Sequence, residues 1–253
     1  PDKSKHVLVN QADSFLDNYN TIIYESTLDY TDRIKAALEN FSDDIILFTH
    51  EDMIPYGEPL YEVMEEYCDL IKNDKADFIY SDPPWGSGNL KYWQTMNKKM
   101  TGKERNEIDY NNFINHFFSL MSKYAKDRVI IEYGERWHND IVLLSKKYGF
   151  LHNGSCKSLY KSGSNLLPLD MHFLSKTPFT LTNQIKKDCY DLRGFALVDK
   201  MFDHVCPNDA EIVLDAMCGM GYTAQATVNR GIAFRGNELN AKRLEKTKAR
   251  LCK

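Results

Sequence analysis

The chain has 253 residues, a formal net charge of −4, and 43% hydrophobic and 27% charged residues. These values belong to a globular protein and exclude disordered, collagen-like and membrane-spanning classes. The longest apolar runs, around Asp44–Thr49 and Arg128–Tyr133, reach about five residues where a bilayer span needs about 20. No charged n-region with an apolar stretch opens the chain, so nothing marks it for secretion. The six cysteines (Cys68, Cys156, Cys189, Cys206, Cys218, Cys252) form no Cys-x-x-Cys pair. That argues against a disulfide framework or a zinc site and for reduced thiols in a cytoplasmic protein. The seven histidines are scattered without ligand spacing, so they read as structural and no metal is expected.

The charge is unevenly spread. Residues 1–75 carry 17 acidic and 6 basic residues, a net of −11, and residues 76–253 carry the other 19 and 26, a net of +7. A polyanion would be attracted to the second part and repelled by the first. An acidic solvated face would give the same split.

In chain order, short runs rich in Ile, Val and Phe predict strands at His6–Asn10, Thr21–Glu25, Asp44–Thr49, Asp77–Ser81, Arg128–Tyr133, Glu211–Asp215 and Ile232–Glu238. Apolar spacing predicts helices at Asp32–Phe41, Glu58–Asn73, Asn111–Lys126, Asn139–Tyr148, Phe195–His204, Ala224–Arg230 and Ala241–Cys252. The alternation predicts an α/β fold with a mostly parallel, doubly wound sheet. Between Gly149 and Lys176 two strand-like stretches flank Lys161–Asn165, which predicts one antiparallel hairpin. Gly86–Tyr110 lacks a sustained period and reads as a long loop.

Two motifs carry chemistry. Ser81-Asp82-Pro83-Pro84-Trp85 follows a predicted strand. Two prolines fix φ and hold the residue before each extended. The rigid edge presents a carboxylate, backbone carbonyls and an aromatic face, which suits a planar amino group beside a ring. Alone, it would also serve as a tight turn. Asp215-Ala216-Met217-Cys218-Gly219-Met220-Gly221 ends another strand, with a helix after it. Gly219 and Gly221 allow a close backbone approach, and the helix start offers unpaired N–H groups. Glu238, at the end of the next strand, is placed as an acid that holds ribose hydroxyls. The pattern indicates an adenosine-containing ligand and leaves its identity open.

Together the two motifs resemble those of the amino-group DNA methyltransferases. Asp82–Trp85 matches that family's catalytic motif. Asp215–Gly221 matches its cofactor motif, with Met217 where Phe is usual. Arg193-Gly194-Phe195 resembles the segment that closes over the cofactor, and Asn237–Asn240 the ribose-contacting turn. The resemblance covers about residues 76–253 and implies a Rossmann-like fold that binds S-adenosyl-L-methionine (SAM). It assigns catalysis to Asp82, Pro83, Pro84 and Trp85, and cofactor binding to Asp215, Met217, Gly219, Gly221, Glu238, Asn240, Arg193, Gly194 and Phe195. The implied reaction moves a methyl group to the exocyclic amino group of a flipped-out base. Adenine N6 is favoured, with cytosine N4 or an RNA adenosine as alternatives. A role in restriction–modification, in a bacterial cytoplasm or from a phage, would follow.

The catalytic motif precedes the cofactor motif, as in the permuted class of that family. The third strand of the cofactor half is then expected from the N-terminal part, with His6–Asn10 and Thr21–Glu25 as candidates. The rest of residues 1–75 reads as an accessory lobe for a homodimer or a partner protein. Within 86–110, Lys91, Lys98, Lys99, Lys103 and Arg105 interleave with Tyr92 and Trp93, a composition suited to phosphate contact and base stacking. One competing class remains. Ile45–Phe48 ends in the acidic Glu51-Asp52, faintly like the metal-binding strand end of nucleotide-sugar transferases.

Overall fold

The strand Ala76–Ser81 is buried along nearly its whole length. Phe78 and Tyr80 point into one apolar core and Ile79 into another. A strand that is apolar on both faces belongs in the middle of a parallel sheet, and that is where it lies. The computed structural model describes residues 75–101, 109–162, 164–238 and 241–251, together with the backbone of 6–9, 20–22 and 45–49.

Among the described residues nine strands form one sheet. They are β1 (His6–Val9), β2 (Asn20–Ile22), β3 (Ile45–Thr49), β4 (Ala76–Ser81), β5 (Ala125–Gly134), β6 (Leu151–Ser162), β7 (Asn165–Ser175), β8 (Ile212–Asp215) and β9 (Ala233–Glu238). Their order is β2-β1-β3-β9-β8-β4-β5-β7-β6. All pairs are parallel except those of β7, which runs antiparallel to β5 and β6. The expected mostly parallel sheet with one antiparallel hairpin is therefore the observed fold.

Helices cover both faces. On one side α1 (Gly86–Thr101), α2 (Tyr110–Tyr124) and α3 (His138–Lys147) pack on Ile79, Val129 and Ile131. On the other, α4 (Asn183–Asp191), α5 (Gly194–Val205), α6 (Tyr222–Val228) and α7 (Ala241–Leu251) pack on Phe78, Tyr80 and Ile130. Local chemistry starts these helices: Asp109 accepts from the Asn112 N–H at 2.8 Å, and Thr182 from that of Ile185 at 3.2 Å. Asp77 fastens the entry of β8 to β4, accepting from the backbone N–H groups of Glu211 and Ile212, both at 2.9 Å, and from Lys126. These donors hold the Asp77 carboxyl below its ordinary range despite the opposing effect of partial burial.

Three expectations need correction. Gly86–Thr101 is a helix, where a loop over 86–110 was expected. Its only fully buried apolar side chain among those described is Leu90, so no apolar stripe announces it, while Leu, Lys, Gln and Met favour the helix. Lys98 and Lys99 also complement the dipole in its last turn. The strand beside β9 is β3, with Ile45–Thr49 opposite Phe234–Glu238. The two candidates for that place, His6–Asn10 and Thr21–Glu25, form β1 and β2 farther out. Parallel neighbours are chosen by tertiary packing, and three short apolar runs look alike in sequence. Helix α4 was not anticipated, because only Ile185 and Cys189 of its side chains reach the apolar core. The predicted helices Asp32–Phe41 and Glu58–Asn73 and the acidic pair Glu51-Asp52 lie outside the described residues.

The four described cysteines are buried thiols. Among the described residues no helix is long and apolar enough to cross a membrane.

Candidate active site

Chain order places the site. From β8 the chain moves outward to β9, and from β4 it moves the opposite way to β5, so the sheet reverses its winding between β8 and β4. A crevice forms at the carboxyl ends of strands at such a switch point. Asp82 follows the last residue of β4, and Asp215 is the last residue of β8. Both motifs thus open on one crevice.

The Asp82–Trp85 turn is held mainly by groups distant in sequence. The Tyr133 hydroxyl, from β5, donates to the Pro84 carbonyl at 2.9 Å and accepts from the Gly86 N–H at 3.1 Å. Tyr110 at the start of α2 hydrogen-bonds that same hydroxyl. Gly86 has φ +73°, and a Cβ there would fall 2.4 Å from the Trp137 ring. Trp137 therefore packs behind the turn. Within the turn, the Trp85 indole N–H donates to Asp82 Oδ1 at 2.9 Å. The indole also meets Tyr160 of β6 edge to face, with centroids 5.4 Å apart.

Solvent reaches Asp82, yet the protein around it raises its pKa well above the ordinary carboxylate value. Desolvation is the main cause, followed by the charge of Glu132. The Trp85 hydrogen bond opposes both, Asp215 adds to the rise, and Arg243 counters it. Glu132 lies on the adjacent strand, where it accepts from the Tyr80 hydroxyl, and burial raises its pKa too. Asp82, Glu132 and Asp215 form an acidic crevice floor with Arg243 as the nearby cation.

Across the crevice, Asp215 is 3% exposed and accepts from the Met217 N–H at 3.1 Å. Burial pushes its pKa up to about 7 against hydrogen bonds from Thr223 and Met217, with Glu238 adding to the rise. Gly219 and Gly221 take φ of +52° and +74°, and a Cβ on Gly221 would meet the Thr247 side chain at 2.4 Å. The Cys218 N–H donates to the Asn237 carbonyl at 2.9 Å, tying the loop to the end of β9. Beside Gly219 there is room: an added Cβ would find nothing nearer than 3.8 Å, and Glu238 Oε2 would be 4.0 Å away. A buried acid, two left-handed glycines and an open cradle facing a strand-end carboxylate fit an adenosyl group.

Arg193, Gly194 and Phe195 open α5 beside this loop. Phe195 lies 6.4 Å from the Tyr222 ring, centroid to centroid, and a Gly194 Cβ would sit 3.8 Å from the same side chain. Arg193 turns back to the carbonyls of Cys189 and Leu192. Asn240 lies outside the described residues.

Helix α1 carries the basic and aromatic residues. Lys91, Lys98 and Lys99 are exposed, and Tyr92 is 54% exposed. Trp93 stacks under the Arg243 guanidinium, 4.0 Å from its ring centroid, so that face is already covered. Lys103 and Arg105 lie outside the described residues. A cleft of about 710 Å³ runs between α1 and the start of α2, lined by Ser87, Gly88, Lys91, Gln94, Asp109, Tyr110 and Asn111. Sequence reading missed Glu132, Tyr133, Tyr110, Tyr160, Arg243 and Thr247. None belongs to a motif.

No family model matches the chain, and no curated relative matches it. Solved structures do match. M1.HpyAVI aligns with a TM-score of 0.55 at 18% identity, over 83% of this chain and 99% of that one. Its complex with SAM gives 0.54 at 16% identity, over 82% and 99%. PvuII DNA methyltransferase, which is cytosine-N4-specific, gives 0.51 at 11% identity, over 77% and 84%. At these identities the likeness establishes the fold, the α/β fold of SAM-dependent methyltransferases.

Proposed function

We propose that this protein is a DNA methyltransferase that moves a methyl group from SAM to the exocyclic amino group of a base, adenine N6 in preference to cytosine N4. The observation that carries the reading is the meeting of the Asp82–Trp85 turn and the Asp215–Gly221 loop at one switch-point crevice. The structural neighbours, a SAM complex and a DNA methyltransferase among them, support it.

In this reading Asp215, Met217, Gly219 and Gly221 form the bed of the cofactor and Glu238 and Asn240 hold its ribose. Arg193, Gly194 and Phe195 cover it. When bound, SAM supplies an electrophilic methyl group on a sulfonium. The protein's task is to make an amino group nucleophilic and to aim it. Asp82 Oδ1 is engaged by Trp85 and the Pro84 carbonyl by Tyr133. The second Asp82 oxygen and the Pro83 carbonyl then accept the two amino hydrogens. Fixed acceptors favour a pyramidal nitrogen and stabilise the positive charge that develops on it. Placement in the crevice supplies the proximity. The target base must leave the duplex, and Trp85 and Tyr160 offer aromatic surface at the rim. Lys91, Tyr92, Lys98 and Lys99 of α1, with Lys103 and Arg105 beyond it, take the DNA backbone.

The test is Asp82→Ala, with methyl transfer to DNA and SAM affinity measured in parallel. Transfer should fall at least a hundredfold while SAM affinity stays within about threefold. Near-normal transfer by the variant would refute the role of Asp82. Chromatography of nucleosides from methylated DNA distinguishes N6-methyladenine from N4-methylcytosine.

A further inference from the structure

Beyond the crevice, the β6–β7 hairpin and the start of α3 gather residues that are far apart in sequence. His138 opens α3, His152 lies on β6, and Asp170 and His172 share one face of β7. Centroids of the three imidazoles are 5.2 to 5.8 Å apart. His138 Nδ1 lies 2.7 Å from Asp170 Oδ2, and His152 Nε2 lies 3.0 Å from His172 Nδ1. Asp170 and His172 are fully buried. Scattered in the sequence, these histidines are brought together by the hairpin register and the first turn of α3.

Two buried atoms of this cluster lack a hydrogen-bond partner, Asp170 Oδ1 and His172 Nε2; Lys157 ion-pairs with the first, and nothing accounts for the second. His172 Nε2 is buried and has no hydrogen-bond partner, an arrangement that native interiors avoid. Its other nitrogen is oriented by His152, as a metal-binding imidazole is commonly oriented by a second group. Ligating atoms of His138, Asp170 and His172 all lie within 4.8 Å of one another.

We propose that His138, Asp170 and His172 bind one divalent cation of the zinc type, with His152 as the positioning residue and solvent as the fourth ligand. Two imidazoles and a carboxylate are a donor set for zinc. Zinc–ligand bonds of about 2.0–2.1 Å put tetrahedral ligands about 3.3 Å apart, so the set must contract. His138 supplies that movement, because its side chain is 38% exposed and stands on the first residue of a helix. Lys157 lies 2.9 Å from Asp170 Oδ1 and 2.5 Å from Glu135 Oε1, with its side chain 60% exposed. A cation on Asp170 shifts Lys157 fully onto Glu135. The ion then joins α3 to the hairpin, on the sheet face opposite Tyr80 and Glu132, and adds to stability.

The experiment takes the full chain after chelation and dialysis. Zinc is titrated by calorimetry, and cobalt(II) serves as a spectroscopic probe of tetrahedral coordination. The intact protein should take up one zinc at micromolar affinity or tighter, with a melting temperature raised by several degrees. His138→Ala, which leaves the buried residues in place, and His172→Leu, which fills the pocket with an apolar group, should each weaken binding at least a hundredfold. His204→Ala should leave it unchanged, since His204 pairs with Asp188 elsewhere. Absence of saturable uptake by the intact protein overturns the proposal, as does retention of full affinity by His138→Ala.

Discussion

Trp85 and Asp82 are joined inside their own four-residue turn, the indole N–H donating to Oδ1 at 2.9 Å. The aromatic residue thus also tunes the carboxylate. Trp85→Phe keeps a ring but deletes the donor, and a carboxylate that loses a donor titrates higher. Methyl transfer by this variant should fall about tenfold, less than for loss of a donor aimed at the transition state. The acid limb of its kcat/KM profile should move to higher pH. A profile that coincides with that of the unaltered protein would show that the hydrogen bond has no part in the proposed activity.

Gly221 tests the proposed cofactor loop. Its φ of +74° disfavours any side chain, and an added Cβ would lie 2.4, 2.5 and 2.7 Å from Cγ2, Oγ1 and Cβ of Thr247. Gly221→Ala should cost about 2–4 kcal/mol of stability, read from denaturant unfolding, and should weaken SAM binding. Adding Thr247→Ala removes the two nearest atoms and leaves the third. The double variant should therefore recover only part of the loss.

Asp215 gives a pH signature. Its folded pKa of about 7 stands above the ordinary 3.8 because of burial, so the folded protein holds the proton more tightly than the unfolded chain. The resulting stability is complete below pH 3.8 and is lost as pH rises through about 7. From pH 5 to 8 the ligand-free protein should lose about 2–3 kcal/mol on this account. Asp215→Asn should flatten that slope, and parallel slopes for the two proteins would contradict the assignment.

Lys98 and Lys99 close α1 with two exposed cations. If both contact phosphates, Lys98→Gln with Lys99→Gln should weaken binding to all DNA sequences alike. The slope of log affinity against log salt should become shallower by about 2. An unchanged slope would remove α1 from the proposed DNA path.

The positions of the Asp82–Trp85 turn, the glycine loop, the central strands and the hairpin are legible in the sequence because their signals are local. Two adjacent prolines, two glycines after an acid, and apolar runs such as Phe78–Tyr80 and Val213–Leu214 declare themselves within a few residues. What lay hidden comes from distant positions. Tyr133 reaches Pro84 from 49 residues away, and Arg243 covers Trp93 from the far end of the chain. Helix α1 looks like a loop in sequence because it buries so little. The neighbour of β9 was misplaced because a parallel strand does not encode its partner. The histidine cluster escaped for the same reason: 138, 152 and 172 have no shared spacing until β6 and β7 pair and α3 docks.

The pairing of β3 with β9 makes the acidic first part of the chain an architectural debtor and creditor at once. Its strand gains a berth in a sheet that the later residues build, and it shields the outer flank of the strand that ends at Glu238. A truncated protein beginning at residue 76 would leave a five-residue stretch of β9 with raw backbone donors and acceptors at alternate residues on that flank. Such a margin recruits foreign strands and promotes aggregation. Shortening the protein to its two motifs would therefore trade solubility, and the footing of the proposed ribose corner, for compactness.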